Sequence, residues 1–222
     1  MIFDIAIILA VYGGIVCVTE ILGRHGVLIL LTRKYAHALS GVAAALLPFA
    51  VEKNSALACG IVGAIILGFL VLKGYLPAIG SHGVFDVGVV MFPLGLSLCA
   101  FLFWSDTNFL AYQYAALMLG LPDAVAGIVG TRYGGNFFKR YSTKSFEGSA
   151  AFFATAFFLS IFFLTTGVGI SLGIAVAYAA LAGLILAVIE GVSRWGTDNL
   201  TVPLAAGTLV FSLLKTFVTV VL

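Results

Sequence analysis

Asp123, Gly127 and Gly130 follow one another at spacings of four and three in LPDAVAGIVGTRYGG, which places them on one face of a helix. Glycines so spaced are a common device for close helix packing, but packing needs no carboxylate, so Asp123 is a candidate for chemistry. Further on, KSFEG sets Lys144 and Ser145 directly before an apolar run. A helix start offers free backbone N–H groups and a positive dipole end to a phosphate. Lys144 would add a point charge and Ser145 would cap the helix. Glu147, one turn in, has three options: to cap, to pair with Lys144 or to hold a cation. The connector GTRYGGNFFKRYSTKS adds Arg132, Lys139 and Arg140. It also holds a tight turn at Gly134, Gly135 and Asn136 and the short amphipathic piece NFFKRY, suited to a membrane interface. It lacks GxxxxGK(S/T) and so is no P-loop.

Two other stretches carry related chemistry. In TRKYAHALSG, Arg33 and His37 are four apart and Lys34 and His37 three apart, so all three can face one way on a helix entering a membrane. A histidine alone there is ordinarily an interhelical hydrogen-bonder; with two bases beside it the face suits polyphosphate, which takes bidentate Arg contacts and a Lys charge. EGVSRWGTDNLTVP carries Glu190, Asp198 and Asn199. Adjacent Asp and Asn before a helix also read as plain N-capping. With Asp123, however, they supply hard oxygen ligands for Mg²⁺, which typically binds one or two carboxylates plus substrate phosphates. Ser81, His82 and Asp86, after Lys73, read as a solvated loop.

The elements that must position these residues follow from hydropathy. Of 222 residues 62% are hydrophobic and 9% charged, with mean hydropathy +1.19, far from the composition of soluble domains. The chain reads as all-α, a polytopic transmembrane helix bundle forming a single integral-membrane domain over 1–222. Apolar runs near 2–22, 35–51, 55–73, 84–104, 108–130, 149–167, 170–190 and 200–221 are long enough for the hydrocarbon core. They predict eight helices, or seven if 35–51 or 55–73 is re-entrant. Asp4 and the missing basic n-region argue against a cleaved signal peptide. Cys17, Cys59 and Cys99 are scattered and read as small hydrophobes, with no disulfide or structural metal. Arg24, Arg33, Lys34, Lys73, Arg132, Lys139, Arg140, Lys144 and Arg194 fall on one side, against Lys53 and Lys215 on the other. The positive-inside bias then puts the loops near 23–34, 73–83, 131–147 and 191–199 in the cytoplasm and both termini outside. Topology and anionic lipid explain such bases but not the acids: Asp123, Glu190 and Asp198 sit at or near the same helix ends, where ionisable groups at membrane depth are functional candidates.

RKYAHALSG, GVFDVGVVMFPLGLSL, LPDAVAGIVGTRYGG followed by KSFEGSAAFF, and DNLTVPLAAG resemble, in this order, the integral-membrane prenol kinases. That family includes phytol, farnesol and dolichol kinases and CTP-dependent diacylglycerol kinases, and is distantly related to phosphatidate cytidylyltransferases. The resemblance runs from residue 33 to about 207. It implies transfer of the γ-phosphoryl group of a nucleoside triphosphate, usually CTP, to a membrane lipid alcohol with Mg²⁺, and no nucleic-acid partner. The family's Asp and glycines fall on Asp123, Gly127, Gly130 and Gly134, its KS-x-E-G on Lys144, Ser145, Glu147 and Gly148, its RK-x-x-H on Arg33, Lys34 and His37, and its DN on Asp198 and Asn199. One departure is Pro122, where many members have Gly before the motif Asp.

On this reading the triphosphate lies at the cytoplasmic mouth of the bundle, held by Lys144, Arg132 and the Arg33, Lys34 and His37 face. Mg²⁺ bridges it to Asp123 and Asp198, and either acid is a candidate to orient or deprotonate the hydroxyl. The sequence lacks the acid-rich, GHGG-like stretch of the cytidylyltransferases, which favours phosphoryl over nucleotidyl transfer. A small anion transporter is the rival from another class; the one-sided charge and the lack of a visible repeat set it behind the kinase.

Overall fold

The computed structural model describes residues 1–79, 87–106, 108–135 and 144–221. It contains eight α-helices and, among the described residues, no strand. They are α1 (Ile2–Arg24), α2 (Ile29–Leu46), α3 (Lys53–Leu72), α4 (Val87–Phe103), α5 (Leu110–Tyr133), α6 (Phe146–Phe162), α7 (Leu172–Val192) and α8 (Asp198–Val221). A 3₁₀ turn, Leu47–Phe49, ends α2, and α6 runs on into a π-helical segment, Phe163–Val168. Among the described residues, five helices are long and apolar enough to cross a membrane: α1, α3, α5, α6 with its π extension, and α7. The chain is a multi-pass membrane bundle. His82, Asp86, Lys139, Arg140 and NFFKRY lie outside the described residues.

Hydrophobicity alone does not order helices in lipid, where tails are as apolar as leucine; small residues that permit close approach do. Helix α5 is the centre, packed by α2, α4, α6 and α8, and it buries 56% of its spanning window where α1 buries 17%. Ala115 and Ala116 on α5, Ala44 and Ala45 on α2, Ala156 on α6 and Ala206 on α8 are all buried. Between them lie the large side chains of Tyr112, Tyr114, Met118, Leu119 and Phe152. The buried Tyr114 hydroxyl is 2.7 Å from the Ser160 hydroxyl, which in turn donates to the Ala156 carbonyl.

The crossing of α2 over α5 matters most for the site. A methyl group at Gly41 would lie 2.6 Å from the Gly120 Cα, and one at Gly120 would lie 2.8 Å from the Gly41 Cα, so backbone touches backbone. Gly120→Ala is therefore expected to cost about 1–3 kcal/mol by overpacking, read as a lower Tm in detergent. An unchanged Tm would show that the two helices are free to part.

Two boundaries differ from the hydropathy reading. Helix α2 begins at Ile29, six residues before the apolar run at 35, so Arg33 and Lys34 are helical, in keeping with their spacing to His37, and not within the loop drawn at 23–34. The bases ended the hydropathy signal but not the helix, because Lys34 finds a carboxylate, as described below. Helix α5 likewise continues to Tyr133, which places Asp123 ten residues inside it rather than at its end.

Candidate active site

The charged residues meet at one end of the bundle. Lys34 on α2 donates to Asp123 Oδ2 on α5 at 2.7 Å. One turn further along α2, His37 places Nε2 3.0 Å from the Leu119 carbonyl and 3.3 Å from Asp123 Oδ2. Both neighbours are acceptors, so Nε2 carries the ring proton. The edge of His37 also meets Phe92 of α4, with ring centroids 4.6 Å apart.

Lys144, just before α6, is the hub. Its ammonium lies 2.6 Å from Glu190 Oε1 at the end of α7, 2.6 Å from Asp198 Oδ2 at the start of α8 and 3.7 Å from Asp123 Oδ1. Glu190 is only 2% exposed and takes a further bond from the Ser149 hydroxyl at 3.3 Å. One carboxylate oxygen from each of Asp123, Glu190 and Asp198 lies within 4.8 Å of the other two. Three hard oxygens so close together form a donor set that suits Mg²⁺. Glu190 thus completes the acids that the sequence analysis assigned to the metal, Asp123 and Asp198.

Burial of Lys144 works against its charge, but Asp198, Asp123 and Glu190 outweigh that and hold its pKa above the ordinary lysine value of 10.5. A raised folded-state pKa means that the stability its charge contributes is complete below the unfolded value and is lost as pH climbs through the folded one. The Tm difference between the protein and Lys144→Met is therefore expected to stay constant from neutrality to about pH 10 and to shrink above it. Shrinkage already near neutrality would contradict the three-acid environment.

Local structure explains how these groups are held. Ser145 caps α6, its hydroxyl accepting from the Gly148 N–H at 3.0 Å, and so fixes Lys144 beside the helix start. Gly130 and Gly134 lie against Ser145, and a Cβ at either would collide with it. At Gly127 a Cβ would fall on the Lys34 side chain, so this glycine gives Lys34 its path to Asp123. Asn199 bonds the Gly88 carbonyl on α4 through its side-chain amide at 2.8 Å, and its backbone N–H reaches Asp198 Oδ1 at 3.2 Å. The turn before α8 has two residues with positive φ, Trp195 at 53° and Gly196 at 81°. Gly196 packs so tightly on Gly88 that no side chain would fit, and Trp195 stands 82% exposed beside Arg194.

The structure thus brings together Asp123, Lys144, Asp198, Lys34 and His37 from the residues singled out in the sequence, with Asn199 and Ser145 bracing them. Arg33 lines the same cavity as this cluster. Arg132 and Glu147 are placed elsewhere. Arg132 is on the exposed end of α5 with its guanidinium over Tyr133, and Glu147 accepts from the Gly135 N–H at 3.1 Å. Sequence reasoning assigned no role to Ser149, Gly88 and Phe92, although all three lie in stretches that carry the family resemblance, because none of them bears a charge to draw notice.

Fold and site together define a multi-pass helical membrane protein with an acid and base cluster set among its helix ends. Among curated proteins, the chain is similar to a phytol kinase from a Synechocystis species, with 30% identity over 132 residues. That alignment covers 59% of this chain and 56% of the relative, so the match spans little more than half of the relative's length. No protein-family model matches the chain, and no solved structure matches it.

Proposed function

We propose that this protein is a lipid-alcohol kinase that transfers the γ-phosphoryl group of CTP, with Mg²⁺, to an isoprenoid alcohol, giving a prenyl monophosphate and CDP. The observation that carries the reading is the Lys144 hub, where three carboxylates and two ammonium groups meet at the end of an otherwise apolar cavity. The similarity to a phytol kinase and the ordered motifs from RKYAH to DNLTVP support it. The donor CTP and the metal rest on the family resemblance, with the close-set oxygens of Asp123, Glu190 and Asp198 in their favour. The excess of Lys and Arg on loops at this end supports a cytoplasmic site.

Phosphoryl transfer is mainly positioning and charge stabilisation. Lys144, Lys34 and Arg33 would balance the charge of the triphosphate, and Glu190 and Asp198 would hold the cation. Bound Mg²⁺ would neutralise charge developing on the phosphate oxygens. The alcohol lies in the cavity with its hydroxyl toward Asp123. Its oxygen forms the new bond to the γ-phosphorus as the bond to the β-phosphate oxygen breaks. The hydroxyl proton passes to Asp123, and CDP leaves with the electron pair. His37 and Lys34 fix the Asp123 carboxylate in place and act as positioning residues.

The test is phosphate transfer by purified protein from γ-labelled CTP, with ATP, GTP and UTP in parallel, to phytol, farnesol, a polyprenol and diacylglycerol, with and without Mg²⁺. A labelled isoprenyl phosphate formed only with Mg²⁺ supports the proposal and names donor and acceptor. Labelled diacylglycerol alone would move the acceptor to glycerolipid. Absence of any labelled lipid would overturn the kinase reading and bring the anion transporter forward.

A further inference from the structure

The charge cluster occupies one end of a much longer space. A cavity of about 1470 Å³ starts at Lys34, His37, Asp123, Lys144 and Asp198 and continues between α1, α2, α3 and α4 to Ile5 and Ala56 near the opposite end. It exceeds the usual ~300–1,000 Å³ of small-molecule pockets. Along α3 its lining runs from Ala56 to Leu70, roughly 21 Å at 1.5 Å per residue. The His37 and Phe92 contact marks where the charged end gives way to hydrocarbon. Such a space fits a molecule with one polar end and a long apolar tail.

Two glycines within this lining have no packing reason to be glycine. At Gly41, Gly60, Gly95 and Gly120 a Cβ would strike a neighbouring helix. At Gly13 on α1 and Gly63 on α3 it would meet nothing within 4 Å, yet both line the cavity. Glycine inside a helix costs about 1 kcal/mol relative to alanine, so open volume at these positions is kept against local propensity. Gly13 is eleven residues before the end of α1 and Gly63 nine before that of α3, roughly 16 and 14 Å from those ends, hence at matching depth.

We propose that the α1 to α4 cavity holds the tail of the lipid alcohol and that Gly13 and Gly63 together set the length and width of tail it accepts. This rests on the kinase reading and adds the determinant of acceptor choice. A diterpenoid tail such as that of phytol must run well beyond the glycine pair, whereas the shorter monoterpenoid tail of geraniol needs little of the space beyond it. A bulky side chain at either position blocks the long tail and spares the short one.

The experiment compares kcat/KM for phytol and geraniol in the full-length protein, Gly63→Phe and Gly13→Phe. Gly14→Phe serves as the control, because Gly14 also faces open space but does not line the cavity. The expected result is a fall of about tenfold or more for phytol in both cavity variants, the scale at which pocket shape discriminates, with geraniol and the control little changed. Geraniol turnover shows that the variants fold. Equal loss for both alcohols, or loss in neither, overturns the proposal while leaving the kinase reading intact. Should the unaltered protein phosphorylate no alcohol, the kinase reading fails instead. Retention of phytol is then measured by native mass spectrometry, and equal retention by the protein and Gly63→Phe would overturn the tail site as well.

Discussion

Lys144→Ala is expected to lower kcat by at least about 10²–10³-fold, the range seen when one group stabilising transition-state charge is removed. The loss should exceed that of a simple surface lysine for a second reason. With Lys144 gone, Glu190 at 2% exposure and Asp198 lose the cation 2.6 Å away, and breaking buried pairs costs roughly 3–5 kcal/mol. The structural share is read from the double variant Lys144→Ala with Glu190→Gln, which removes one of the stranded charges and, on this account, a cation ligand with it. Restored Tm with activity still absent is the expected outcome, measured by thermal unfolding and label transfer on the same preparation. Near-normal turnover in Lys144→Ala would remove the hub from the mechanism.

Asp123→Asn should have an effect of similar size for a different reason. The amide keeps the shape and can still accept from Lys34 and His37, but it cannot take the hydroxyl proton, a role worth about 10²–10⁴-fold. The fall should lie in kcat, with KM for the alcohol changed little, because the tail supplies most of the binding. Asp198→Asn, which on this account weakens cation binding, should instead raise the Mg²⁺ concentration needed for half-maximal rate. If Asp198→Asn lost kcat and Asp123→Asn shifted only the Mg²⁺ requirement, the two carboxylates would exchange roles.

The eight helices were legible because a membrane forces long apolar runs, and the hub was legible because ionisable residues are costly among them. Lys144, Asp123 and Asp198 therefore stood out without geometry. Depth and rotation were not legible. Arg132 and Lys144 look equivalent in sequence, yet α5 runs past the start of α6 and carries Arg132 to an exposed end. The apolar run put the start of α2 six residues late because Arg33 and Lys34 interrupt hydropathy, while the pairing of Lys34 with a carboxylate 89 residues away is a tertiary fact. Glycine was the least readable residue. Gly120, Gly127 and Gly63 look alike in sequence, and one allows a helix crossing, one clears a path for Lys34 and one lines open space. The cavity is a gap between four helices and leaves no local signature.

The most direct test of the central claim is to supply CTP labelled either at the γ- or at the α-phosphorus to purified protein with phytol, phosphatidate and Mg²⁺. The account predicts γ-label in an isoprenyl phosphate, no α-label in any lipid, and loss of the γ-label in Lys144→Ala. Appearance of α-label in a CDP-lipid, with release of pyrophosphate, would contradict it and make the same cluster a nucleotidyl-transfer site.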